Sequence, residues 1–102
     1  MSNPHWSVYF VRTQCDKLYC GISNDVEKRF VAHQRGRGAK FLNGKAPLHL
    51  CWQLNAGTRQ QASRLECRLK KLTRKQKEEV IAQITSYETL VQRFPQLQVE
   101  EN

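Results

Sequence analysis

No stretch of the chain approaches the ~18 to 20 consecutive apolar residues that cross a bilayer, and "MSNPHW" at the N-terminus lacks the apolar segment of a secretory signal. A soluble, cytoplasmic protein with no membrane partner is therefore expected. Paired cysteines are missing as well. Cys15, Cys20, Cys51 and Cys67 are scattered with no C-x-x-C, which argues against a zinc knuckle or a thioredoxin-type site and for reduced thiols packed as small apolar side chains. Internal repeats and low-complexity segments are absent, and 102 residues leave room for one core and hardly for two. Acidic residues are the scarcest charged class: nine Asp and Glu face 17 Lys and Arg, a formal charge of +8. An excess of that size suits a polyanion above all, because each phosphate neutralised releases condensed counterion.

The apolar pattern predicts a small mixed domain. Residues 6–13, "WSVYFVRT", are aromatic and β-branched and read as a strand; "QCDK" turns the chain and "KLYCGIS" returns it as a hairpin. Asn24 or Asp25 can cap a helix carrying Val26, Phe30 and Val31 and running to about His33 or Gln34. "RGRGAKFLNGKAP" is a basic, Gly-rich loop, "LHLCWQL" a third strand and "NAGT" a turn. Thr58 can cap a helix in which Ala62, Leu65, Leu69 and Leu72 share a face, Thr73 opens another in "RKQKEEVIAQI", and a further helix in "SYETLVQRF" stops at Pro95. The class is α+β: a small three-stranded antiparallel sheet flanked by helices, in the order strand, strand, helix, strand, helix, helix. A single domain is expected over residues 1–94, with its core at about 6–81 and a frayed tail at 95–102.

Several side chains in this frame admit two readings. Tyr9 and Tyr19 on paired strands are ordinary cross-strand packing or a pair of phenols beside Gly21, where a strand glycine marks a close approach. Arg29 and His33, four residues apart, share one helix face that is either solvated or turned across the sheet. Glu66 falls on or beside the apolar face of its helix; a carboxylate there needs a cation, either Lys70 one turn on or a metal. Arg35, Arg37, Lys40 and Lys45 in the basic loop are a solubilising surface or a footprint for backbone phosphates, and "RLKKLTRKQK" extends it through Lys70.

Taken together, "SVYF", "LYCGIS", "VEKRFVAH" and "ASRLECRLK" resemble the GIY-YIG nuclease domain, in particular the small stand-alone bacterial proteins of the UPF0213 type, over residues 6 to 81. The two signature tripeptides fall at Ser7-Val8-Tyr9 and Tyr19-Cys20-Gly21. The resemblance implies a metal-dependent DNA endonuclease, a hydrolase of phosphodiesters using Mg²⁺ or Mn²⁺, structure-selective or non-specific and acting in repair or recombination. By the same resemblance Glu66 is the metal ligand, Tyr9 the phenol that takes a proton from the attacking water, Tyr19 its support, Arg29 the residue that neutralises the scissile phosphate, and His33 a neighbour of the reacting groups. Arg29 and a metal are expected to lower the Tyr9 pKa from its ordinary value near 10. Two features depart from the pattern: Ser7 and Cys20 replace the usual Gly and Ile, and "RKQKEEVIAQ" offers no match to the Asn that many family nucleases carry after the Glu. The second keeps open an alternative, a nucleic-acid-binding module that turns over weakly or not at all. DNA is the expected partner, branched or single-stranded, with RNA a variant, and the protein is expected to be a monomer or weak homodimer.

Overall fold

The computed structural model describes residues 5–99. Strand β1 (Trp6–Arg12) is central, with β2 (Leu18–Ser23) on one side and β3 (His49–Gly57) on the other, both antiparallel to it. Helix α1 (Val26–Gln34) follows the hairpin, and α2 (Arg59–Leu69), α3 (Arg74–Gln83) and α4 (Tyr87–Arg93) follow β3. The α+β class and the strand and helix order are those the sequence predicts.

Period-two alternation along β1 divides the interior into two cores. Val8 and Phe10 face α2, α3 and α4 with Cys20, Trp52, Leu54, Leu65, Leu69, Val80 and Leu90. The opposite face carries Tyr9 and Val11 with Val26, Leu42 and Leu48. In the first core the Phe10 and Trp52 rings lie 5.5 Å apart, and the buried Trp52 indole donates to the Ile84 carbonyl at 2.9 Å, which ties the end of α3 to the sheet.

Local chemistry sets the helix starts. Asp25 caps α1 by accepting from the Lys28 amide, and reciprocal capping boxes open α2 (Thr58 with Gln61) and α3 (Thr73 with Gln76). The hairpin turn places Asp16 at φ +62°, a conformation that Asp tolerates. Beside it Arg12 donates to both Glu78 carboxylate oxygens, at 2.7 and 2.9 Å, while Arg74 joins Glu78 to the Asp16 carbonyl. This network clamps the hairpin tip to α3.

Two expectations are corrected. "NAGT" is not a turn after the third strand, because β3 continues to Gly57 so that Ser7 and Trp6 at the start of β1 gain partners in Asn55 and Gly57. Nor does the frayed tail begin at residue 95. Pro95 ends α4 but opens a 3₁₀ turn through Leu97, and Leu97 and Val99 are buried in the larger core. The Val99 amide donates to the Tyr87 hydroxyl at 2.8 Å, and Arg68 donates to the Gln98 carbonyl. Two apolar side chains, each worth about 1.5 to 3 kcal/mol when buried, outweigh the polar residues around them. Residues 100–102 of the expected tail and 1–4 of the expected domain lie outside the described residues.

Candidate active site

The smaller core holds the polar groups. Tyr9 lies opposite Gly21 in the β1–β2 register, and Tyr19 is opposite Val11, so both phenols project from the α1 face of the sheet. Their ring centroids are 6.4 Å apart. A Cβ on Gly21 would meet the Tyr9 hydroxyl at 2.6 Å and its Cζ at 2.7 Å. Glycine is therefore what lets the Tyr9 ring lie across the edge strand.

His33 reaches the same point from the last turn of α1. It is 1% exposed, and its Nε2 is 2.8 Å from the Tyr9 hydroxyl, with ring centroids 6.0 Å from Tyr9 and 5.5 Å from Tyr19. Burial first, and then the charge of Arg29, lower the imidazole pKa, with the Arg37 backbone opposing them. A ring held neutral in this way, with the Arg37 backbone on its other side, fits a proton on Nδ1 and an accepting Nε2. In that assignment Tyr9 donates to His33. Among the described residues Nδ1 itself has no hydrogen bond of good geometry. The basic loop folds back over this end of the helix: Arg37 donates its amide to the Ala32 carbonyl at 2.8 Å, and a Cβ on Gly38 would meet His33 Nδ1 at 3.2 Å and Arg29 Cζ at 3.3 Å.

Arg29 is exposed at the mouth of this cluster, and its hydrogen bonding and charge pull the Tyr9 pKa down. They do not prevail. Burial, followed by the neighbouring Tyr19, pushes the Tyr9 pKa up to about 12, contrary to the lowering expected of Arg29. The phenol is protonated at neutral pH, and the acceptor for its proton is already in place. Tyr19 is half-buried and also raised, by burial and then by the charge of Glu66.

Glu66 belongs to the other layer. It stands on α2 between the buried Leu65 and the exposed Cys67, with a side chain 20% exposed, and Lys70 lies 3.4 Å from its carboxylate. Tyr19 and Cys20 both feel its charge, which places it at the β2 edge of the sheet, where the two layers meet. Cys20 points into the larger core; burial and Glu66 push its thiol up to about 12, so this substituted signature position carries no reactive group.

Of the residues singled out in the sequence, Tyr9, Tyr19, Arg29 and His33 converge, and Glu66 approaches them around edge strand β2. Among the five basic residues, Arg35, Arg37 and Lys40 are exposed on the loop, Lys45 sits 3.9 Å above the Phe41 ring, and Lys70 pairs with Glu66. Three neighbours join them, of which Phe41 and Arg59 escaped sequence reasoning and Lys77 is the last residue of the basic run "RLKKLTRKQK". Phe41 stacks on Tyr19; Lys77 lines a cleft with Tyr19, Phe41 and Lys70; and Arg59, over the Trp6 ring at 5.2 Å, lines a recess with Arg29. The one signal for Phe41 was a lone aromatic inside a basic loop.

Comparison with known proteins identifies the family. The model of the GIY-YIG catalytic domain matches residues 5–79. A UPF0213 protein of Vibrio parahaemolyticus is 47% identical over 77 residues, covering 76% of this chain and 73% of that protein. A UPF0213 protein of Vibrio cholerae is 51% identical over 78 residues, covering 76% and 77%. The solution NMR structure of a UPF0213 protein from Bacillus halodurans superposes with a TM-score of 0.50 at 29% identity, covering 76% of this chain and 83% of that one. The matched segment spans every site residue from Tyr9 to Glu66, and this chain belongs to the GIY-YIG catalytic domain family, a nuclease family whose substrate is nucleic acid, and within it resembles the small UPF0213 proteins.

Proposed function

We propose that the protein is a metal-dependent endonuclease that hydrolyses DNA phosphodiester bonds, structure-selective or non-specific, with a role in repair or recombination. The observation that carries this reading is the 2.8 Å bond between the Tyr9 hydroxyl and His33 Nε2, buried, beneath Arg29 and beside the Glu66 edge. A hydrogen-bonded phenol and neutral imidazole make a two-step proton acceptor. As Tyr9 takes the proton of an attacking water, its own proton passes to His33, so that no free phenolate is needed in a site that holds the phenol at about 12. Tyr19 packs against both rings and holds them in register. Arg29, exposed at the mouth, is placed to neutralise the nonbridging oxygens of a bound phosphate as charge builds there.

Among the described residues no three His, Cys, Asp or Glu side chains gather into a metal cage. One partly exposed carboxylate still fits Mg²⁺ or Mn²⁺, since Mg²⁺ keeps several waters and takes one or two carboxylates together with substrate phosphates. Glu66 would hold it. When bound, the metal would supply Lewis-acid stabilisation of the phosphate and the departing 3′ oxygen.

The test is single-turnover cleavage of duplex, single-stranded, forked and four-way-junction DNA with Mg²⁺ or Mn²⁺. Loss of cleavage in Glu66→Ala, with the fold intact by circular dichroism, is the expected outcome. Equal trace activity in wild type and variant would remove the site. Tight, salt-sensitive binding with no cleavage by wild type on any substrate would favour the binding-module alternative, which the missing Asn motivates.

A further inference from the structure

Phe41 is one of two large apolar side chains left exposed among the described residues, at 42%, the other being Val31. Its exposure is built in. The 3₁₀ turn Lys40–Leu42 anchors the basic loop by burying Leu42 in the smaller core, and so presents its neighbour outward. The Phe41 ring lies 6.1 Å from the Tyr19 ring at an angle of 24°, a stacked pair, with the Lys45 ammonium 3.9 Å from its centroid. The same ring walls a cleft of about 230 Å³ with Leu18, Tyr19, Lys70 and Lys77, so a flat apolar surface is bordered by cations on several sides.

From this arrangement we infer that Phe41 is a stacking platform for one unpaired nucleobase immediately beside the scissile phosphate. The inference rests on the endonuclease reading for what happens at Tyr9 and Glu66. It adds the substrate's local form: single-stranded DNA, a flap or a frayed end. A base within a duplex is already stacked on both faces and gains nothing from the ring, whereas an unpaired base gains a partner. Lys45 does not obstruct this. A contact between a half-buried ammonium and an exposed ring does not exceed base–aromatic stacking at about 1 to 3 kcal/mol, and the displaced ammonium has the phosphate that accompanies the base as its next partner. Lys70 and Lys77 flank the cleft where neighbouring phosphates pass.

The experiment measures binding in the absence of divalent metal, so that nothing is cut. Wild type, Phe41→Ala and Phe41→Trp are titrated with labelled single strands of about 12 nucleotides and with the matching duplex; a single small binding fold covers that span. Phe41→Ala should weaken single-strand binding about tenfold or more while moving duplex binding by about twofold or less, and Phe41→Trp should restore the single-strand affinity. 2-Aminopurine walked along the strand should be quenched at one position by wild type and Phe41→Trp, and not by Phe41→Ala. Equal loss on single strand and duplex would overturn the proposal. Reduced cleavage by Phe41→Ala with binding and quenching unchanged would overturn it too, because the ring would then only prop Tyr19. Because these titrations contain no metal and read no cleavage, a cleavage panel with no products sinks the nuclease reading and leaves the stacking result standing or falling by itself.

Discussion

Replacing Gly21 by alanine tests whether the Tyr9 ring needs the empty place beneath it. The added methyl carbon would sit 2.6 Å from the Tyr9 hydroxyl, 2.7 Å from its Cζ and 3.0 Å from Tyr19 Cε2. Tyr9 is 1% exposed and packed in a core with Val11, Val26, Leu42 and Leu48, so the ring cannot swing into solvent. Overpacking of this kind costs about 1 to 3 kcal/mol. Losing the Tyr9–His33 hydrogen bond adds about 0.5 to 1.5 kcal/mol. The sum is about 1.5 to 4.5 kcal/mol, which a small domain of about 5 to 15 kcal/mol survives folded but loosened. Gly44→Ala is the control: that residue has φ +73° but no atom of the described residues within 4 Å of an added Cβ, so backbone strain of about 1 to 2 kcal/mol is the cost expected of it. Urea unfolding should therefore separate the two variants, and single-turnover cleavage by Gly21→Ala should fall about 100-fold, the usual cost of a ~1 Å misplacement of a reacting group. In a Tyr9→Phe background the methyl loses its closest contact, so Gly21→Ala should cost less there than in wild type, by about 0.5 kcal/mol or more. If Gly21→Ala melts like Gly44→Ala and cuts at the wild-type rate, the glycine does not shape the site.

Three further outcomes are expected. Lys70→Gln removes the cation 3.4 Å from Glu66, and because an exposed pair of this kind is worth under about 1 kcal/mol, Mn²⁺ should half-saturate cleavage at a two- to fivefold lower concentration; an unchanged titration would mean that Lys70 does not compete with metal. The pH–rate profile should fall on the acid side with a midpoint below 6.5, because the His33 pKa is lowered and its neutral ring is the form that accepts from Tyr9; a midpoint above 6.5 would rule that acceptor out. Hydrogen bonding to Arg12 holds the Glu78 pKa at about 2 against an ordinary 4.5, so its contribution to stability is complete above pH 4.5 and drains away as the pH falls toward 2. Urea midpoints across that window should drop more for wild type than for Glu78→Gln, and parallel curves would show that the hairpin clamp adds no net stability.

Much of the fold was legible because it is written in local chemistry. Alternating apolar residues in "WSVYFVRT", the Thr58 and Thr73 caps with Gln three residues on, and the leucine face of α2 each point to one element, and each element forms. What escaped depends on pairing at a distance. "NAGT" contains turn residues, yet the unpaired backbone of Trp6 and Ser7 draws it into the sheet; "PQLQV" looks like a polar tail until the core supplies places for Leu97 and Val99. At the candidate site, the convergence of Tyr9, Tyr19, Arg29 and His33 was expected and the energetics were not. That Arg29 would lie near Tyr9 was implied by the family resemblance, since helix spacing left its face either solvated or turned across the sheet. That burial would overrule it depends on how tightly Val26, Leu42 and Leu48 close around the ring, which no short motif records.

The division of the interior into two unequal cores has a consequence for how such a protein can change. On the α1 face, Tyr9 and His33 are at once the packing and the proposed chemistry, so a substitution there would be judged twice, by folding and by turnover, and few would pass both. On the α2–α4 face, Glu66, Lys70 and Lys77 at the rim carry the proposed tasks, and Val80, Leu90 and Leu97 are free to drift in concert as long as volume is conserved. Lineages should diverge there first, and a protein engineer wishing to raise the melting temperature without touching the site should begin with that face.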